Sequence, residues 1–116
     1  MNNYRELHIW NKGMQLVEDV YFLVKKLPDD EKFGLISQIK RCSVSIPSNI
    51  AEGAGRNSKK EFARFLSIAN GSTTELETQL ILSVNLKFLT EKEINNALTL
   101  CKEIKNMNFA LQKKLR

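Results

Sequence analysis

Residues 33–80 read FGLISQIKRCSVSIPSNIAEGAGRNSKKEFARFLSIANGSTTELETQL. Leu35, Ile39, Cys42, Ile46 and Ile50 recur at steps of three and four, the apolar stripe of an amphipathic helix. Pro47 lies inside that stripe. It cannot donate to the Ser43 carbonyl, and its ring clashes there, so the helix must kink or restart. Ser45 could cap a restart, but the stripe keeps its phase across the proline, which favours one kinked helix. Gly53-Ala54-Gly55-Arg56-Asn57 forms the turn, glycine suiting the left-handed conformation that ends helices. Ser58-Lys59-Lys60-Glu61 has the pattern of a capping box. It opens a helix whose inner face is Phe62, Phe65, Leu66, Ala69, Thr73, Leu76, Leu80 and Val84. Gly71 sits in the middle of that helix, where glycine costs about 1 kcal/mol relative to alanine. Close approach by another backbone is expected there.

Outward from this stretch, two further helices are legible. In the first, Leu7, Trp10, Met14, Val17, Tyr21 and Val24 recur at steps of three and four. Ile9, Gly13, Leu16, Val20, Leu23 and Leu27 do the same on an adjoining face. The merged apolar arc spans roughly 200°, wider than the stripe of about 100° that one core requires. Pro28-Asp29-Asp30 ends it. At the other end of the chain, Thr90-Glu91-Lys92-Glu93 is a second capping box. Ile94, Leu98, Cys101, Ile104, Asn108, Leu111 and Leu115 follow at heptad-like spacing. Short connections make consecutive helices antiparallel neighbours. The expected fold is all-α: one domain over residues 1–116, an antiparallel up-down-up-down four-helix bundle with its second helix kinked at Pro47.

Composition agrees with this reading. The chain has 116 residues, 42% hydrophobic and 27% charged, with two prolines and five glycines. No apolar run reaches the roughly 18 residues of a membrane span. The start, MNNYRELHIW, lacks the basic and apolar regions of a signal peptide, so the cytoplasm is the expected compartment and no membrane partner is expected. Cys42 and Cys101 read as buried free thiols, since free cysteine behaves as a small hydrophobe. The formal charge is +5 and the pI about 9.3. The excess is clustered. Residues 40–64 carry six basic groups against two acidic, and residues 102–116 carry five against one. Such clustering favours an anionic partner.

Catalytic and metal-binding patterns are absent. Di-metal bundles use Glu-x-x-His pairs, yet the sole histidine, His8, has no glutamate three residues before it. Glu75 and Glu77 diverge by about 200° on their helix. No nucleophile elbow or phosphate-cradling loop is present, so no catalytic residue, cofactor or metal is assigned. Arg41, Ser45, Ser48 and Glu52 share one helix face and, with Ser37, Gln38 and Asn49, form a polar band. It reads either as a partner-binding strip or as a solvated face or polar seam between subunits, with Gly71 a further interface candidate. Arg56, Lys59, Lys60 and Arg64, with Lys40, are the candidate nucleic-acid contacts. The first four surround a helix N-terminus, whose amides and dipole favour phosphate; a solvated basic turn is the other reading. Lys113, Lys114 and Arg116 suit a helix C-terminus electrostatically. Trp10, Phe62 and Phe65 are expected in the core, whereas Phe22 and Phe88 lie off the main stripes and suit an interface.

The stretch from Phe33 to Leu80 resembles the small four-helix-bundle proteins encoded within intervening sequences of bacterial 23S rRNA genes. Weaker similarity reaches back through Leu16, Trp10 and Leu7 to Glu6 and fades after Leu89. The matching positions include Ser37, Gln38, Arg41, Ser45, Pro47, Ser48, Asn49, Glu52, Gly53, Gly55, Arg56, Ser58, Glu61 and Arg64. Lys40 and Cys42 stand where relatives more often look like Arg and Ala. The resemblance implies a homo-oligomer, with a pentamer favoured, and no known catalysis. Accessory proteins of diversity-generating retroelements look like relatives: basic, barrel-shaped pentamers that associate with a reverse transcriptase and nucleic acid. By this resemblance the partners are further copies of the chain, RNA or DNA, and a nucleic-acid-processing protein. A protein–protein scaffold without nucleic-acid binding is the alternative.

Overall fold

The computed structural model describes residues 3–116. Four helices account for most of it: α1 (His8–Val24), α2 (Leu35–Ala54), α3 (Lys59–Asn85) and α4 (Glu91–Lys114). Short 3-10 turns at Tyr4–Glu6 and Asp29–Glu31 precede α1 and α2. No strand occurs among the described residues. Each helix packs on its two neighbours around a square. No Cα of α1 comes within 8 Å of α3, and none of α2 within 8 Å of α4.

Polar contacts fix the pairing. Lys12 meets Glu103 at 3.2 Å and Lys26 meets Glu93 at 2.6 Å, so numbering along α4 falls as it rises along α1. Between α3 and α4, Asn108 donates to the Leu66 carbonyl at 2.8 Å, and Lys105 pairs with Glu77 at 2.7 Å.

The core is built from the stripes that helical periodicity selects. From α1 come Ile9, Leu16, Val20 and Leu23; from α2 Ile39, Ile46 and Ile50; from α3 Phe62, Leu66, Leu76 and Leu80; from α4 Ile94 and Ile104. The α1 stripe that contains Trp10 divides: Trp10 packs partly against the core, whereas Met14 and Tyr21 are exposed. That outer half-arc is what one bundle core leaves uncovered. α2 continues through Pro47 as a single helix, so no restart occurs at Ser45. The Pro47 ring lies against Gly13, where a Cβ would stand 3.3 Å from the proline Cβ.

Local chemistry sets the helix ends. Glu31 accepts the Leu35 N–H at 3.1 Å and so caps α2. At α3 the Ser58 hydroxyl accepts the Glu61 N–H at 3.0 Å, one half of the expected box. At α4 the box is complete: Thr90 Oγ1 accepts the Glu93 N–H, and the Glu93 carboxylate accepts the Thr90 N–H.

Three expectations need correction. No glycine ends α2 in the left-handed conformation: its C-cap Gly55 has a φ of −82°. Gly71 does not meet another backbone within the subunit, because a Cβ there would find nothing within 4 Å. The close approach is at Gly53, in the last turn of α2, where a Cβ would lie 2.6 Å from Phe65 Cβ and 3.1 Å from Phe62 Cδ1. Phe88 is not fully exposed, since it is partly buried against the core. It follows Lys87, whose φ of 68° is left-handed. The Phe88 and Lys87 N–H groups return to Ser83 and Val84, the paired bonds of a Schellman ending.

Candidate nucleic-acid interface

The basic turn is held by the Gly53 contact, which lets α2 and α3 meet closely enough for a short connection. Arg56 pairs with Glu52 at 2.9 Å, and its guanidinium lies 5.0 Å from the Phe65 ring centroid. Arg64 approaches the same ring at 5.8 Å. Phe65 thus orders two arginines whose charged ends remain exposed. Lys59, Lys60 and Arg64 are exposed and pair with no carboxylate among the described residues.

Lys40 stands apart from this group. It lies on the first half of α2, about 21 Å along the helix axis from Ala54, where α2 ends, at 1.5 Å per residue. Its ammonium approaches the Tyr21 ring at 5.1 Å. That position borders an open cleft of about 1030 Å³ between α1 and α2, which Lys25 and Lys32 also line.

What the sequence separates, the fold gathers. Gln112 accepts from Ser67 at 3.3 Å and donates to Asn108 at 2.6 Å, so the end of α4 lies beside the start of α3. Lys113, Lys114 and Arg116 therefore share one end of the bundle with Arg56, Lys59, Lys60 and Arg64. Arg5, in the turn before α1, joins them, because Gly13 sits opposite Pro47 and the chain before it runs toward the end of α2. Eight cations meet three carboxylates there: Glu6, Glu52 and Glu61. The opposite end carries Lys25, Lys26, Lys32, Lys87 and Lys92 against Asp29, Asp30, Glu31, Glu91 and Glu93, in balance.

The polar band of α2 splits in two. Ser45 shares a 2.6 Å hydrogen bond with Ser72 of α3, and Asn49 donates to the Ser45 carbonyl at 2.8 Å. These two form a seam within the subunit. Gln38, Arg41, Ser48 and Glu52 are exposed. Ser37, Gln38 and Arg41, with Phe33 and Glu75, border a shallow cleft of about 580 Å³. Phe33 is 90% exposed. Near this cleft Gln79 is buried, its amide N–H reaching Glu75 at 3.3 Å and its carbonyl oxygen without a partner.

The two cysteines are not activated. Burial pushes the Cys42 thiol up to about 12, with the nearby Glu75 charge adding to the effect. Burial does the same to Cys101, pushed up to about 12, with Glu77 reinforcing it and Lys105 opposing it. Both stay protonated and poorly nucleophilic at neutral pH. They sit on α2 and α4, whose Cα atoms are all more than 8 Å apart, beyond the reach of a disulfide. Among the described residues no three His, Cys, Asp or Glu side chains converge as metal ligands, and no helix is long and apolar enough to cross a membrane.

Sequence reasoning missed the shared basic end and the exposed Phe109 beside it. Helix pairing carries the first signal; the second was available from the position of Phe109 outside the α4 stripe.

The fold and its landmarks can be set beside known proteins. No curated protein matches the chain. Among solved structures, a protein of unknown function from the S23 ribosomal protein family of Bacteroides thetaiotaomicron VPI-5482 is similar. It superposes with a TM-score of 0.83 at 25% identity, over 90% of this chain and 98% of that one. The model of the 23S rRNA-intervening sequence protein family matches residues 5–110. With all four helices inside that span or reaching just past it, the chain belongs to the 23S rRNA-intervening sequence protein family.

Proposed function

We propose that the protein is a non-enzymatic, homo-oligomeric helical bundle, five subunits favoured, that binds nucleic acid, RNA foremost, through its basic end. The observation that carries the reading is the gathering of eight cations from three chain segments at that end, against three carboxylates. The first amides of α3 point into the same region, and a helix N-terminus adds partial positive charge where phosphate would lie. Repetition around a closed assembly multiplies weak single-subunit contacts into avidity. The association of the family with rRNA intervening sequences makes RNA the favoured polyanion, and a nucleic-acid-processing protein a further partner. The expected compartment is the cytoplasm.

The test replaces Arg56 and Lys59 with glutamine, which leaves the Ser58 cap in place. Labelled RNA titrated at several salt concentrations should bind the variant more weakly. Removing two phosphate-binding charges per subunit should flatten the log–log salt slope by roughly 1.4. Unchanged affinity and slope would favour the second reading, a scaffold that binds only protein. That reading draws support from the exposed Met14, Tyr21, Phe22 and Val44 on the outer faces of α1 and α2.

A further inference from the structure

We infer that the α3-facing edge of α4 is a track for an unpaired RNA strand, with Phe109 as the surface on which a base stacks. The inference rests on the reading that the protein binds RNA, and it adds the form of RNA and the path. The contacts of Gln112 with Ser67 and of Lys105 with Glu77 identify the side of α4 that faces α3. At 100° per residue, Lys102, Lys105, Phe109, Lys113 and Arg116 fall within an arc of about 80° along that side and its outer edge. They extend over about 21 Å of helix. Phe109 is 63% exposed, one helical turn from a lysine on each side, and the Lys113 ammonium lies 5.8 Å from its ring.

Along the first part of this strip, α3 and α4 border an open groove of about 590 Å³. Thr74, Thr78 and Asn106 give it hydroxyl and amide groups, while Ile81 and Leu98 supply apolar lining. Its one carboxylate, Glu77, is already engaged by Lys105 at 2.7 Å. The strip therefore carries Lys105 paired with Glu77 and three cations without a carboxylate partner among the described residues, Lys102, Lys113 and Arg116, with an exposed ring at its middle.

That chemistry fits an unpaired strand better than a duplex. Cations spaced along a helix edge follow a phosphate backbone of either kind, but a ring face needs a base face. Duplex bases are stacked on one another, so only an unpaired strand offers one. A ring accepts any base, so binding should tolerate sequence changes.

The experiment titrates the full chain with a labelled single-stranded RNA of mixed sequence, and with the same strand annealed to its complement. Phe109→Ala should weaken single-strand binding by about 5- to 150-fold, the range for losing one stacked base. It should leave duplex binding, salt slope and solution mass unchanged. Phe109→Trp should retain affinity, its added fluorescence quenched by the single strand. Lys113→Gln with Arg116→Gln should flatten the single-strand salt slope by about 1.4. Parent-like single-strand binding by Phe109→Ala would overturn the track. If Arg56→Gln with Lys59→Gln still weakened that binding, the basic-end reading would survive alone. Equal loss for strand and duplex would overturn the stacking role, and a changed mass would make Phe109 a subunit contact. Failure of the parent to bind either RNA would remove both readings.

Discussion

At Gly53 a single methyl group decides how closely two helices meet. Its Cβ would stand 2.6 Å from Phe65 Cβ, an atom fixed to the α3 backbone and unable to swing aside. Gly53→Ala should therefore cost about 1–3 kcal/mol through overpacking, read as a lower urea midpoint. Gly71→Ala should do the reverse. It adds a methyl where nothing lies within 4 Å and should raise helix stability by about 1 kcal/mol. In an assembly that closes a neighbour's backbone over Gly71, the same methyl would weaken association. A stabilised chain of unchanged solution mass would remove Gly71 from the subunit contact. Both glycines are visible in the sequence, and a mid-helix glycine is the more obvious candidate for a close approach. The choice between them depends on which helix face meets a neighbour, and Phe65, twelve residues from Gly53, supplies that information only after folding.

Helix ends show the same mixture. The Ser58 and Thr90 starts are legible because capping is a local contest between side chain and backbone. The end of α3 is not, because Lys87 occupies the left-handed position where glycine is the usual signal. The partial burial of Phe88 and the burial of Leu89 offset the cost of that conformation. Lys87→Gly should stabilise the chain by up to about 1 kcal/mol by removing the left-handed penalty, whereas Lys87→Val should destabilise it in the same melt. The start of α4 carries the clearest pH dependence. The Lys26 ammonium and the Thr90 N–H hold the Glu93 carboxyl below the usual carboxylate range. Because the folded value is depressed, its contribution is present above the ordinary value of about 4.3. It is lost as the pH falls through the folded value. Glu93→Gln should melt earlier than the parent at pH 7, with the difference closing in acid.

For the whole molecule, periodicity was enough to reveal the fold class and the inner stripes, because burial in a bundle repeats with the helix. It could not reveal which ends meet. Lys60 and Arg116 lie far apart in the chain and at the same end of the bundle, so the basic site is a property of helix pairing. Met14 and Tyr21 in the uncovered half-arc of α1, and the 61% exposed Phe22 beside it, point outward from the single chain. Burying these side chains is what would favour the proposed assembly. Light scattering after size exclusion should give a mass several times 13.3 kDa, and about five times if the favoured ring forms. A monomer at micromolar concentration would end that proposal. The bundle is 43 Å long, and its surplus positive charge lies at one end of that length. Its centre of charge is therefore displaced from its centre of mass, and the field of a distant polyanion exerts a torque on it as well as a pull. With the proposed polyanion as partner, the molecule would turn before it touches, and encounters would be oriented in advance.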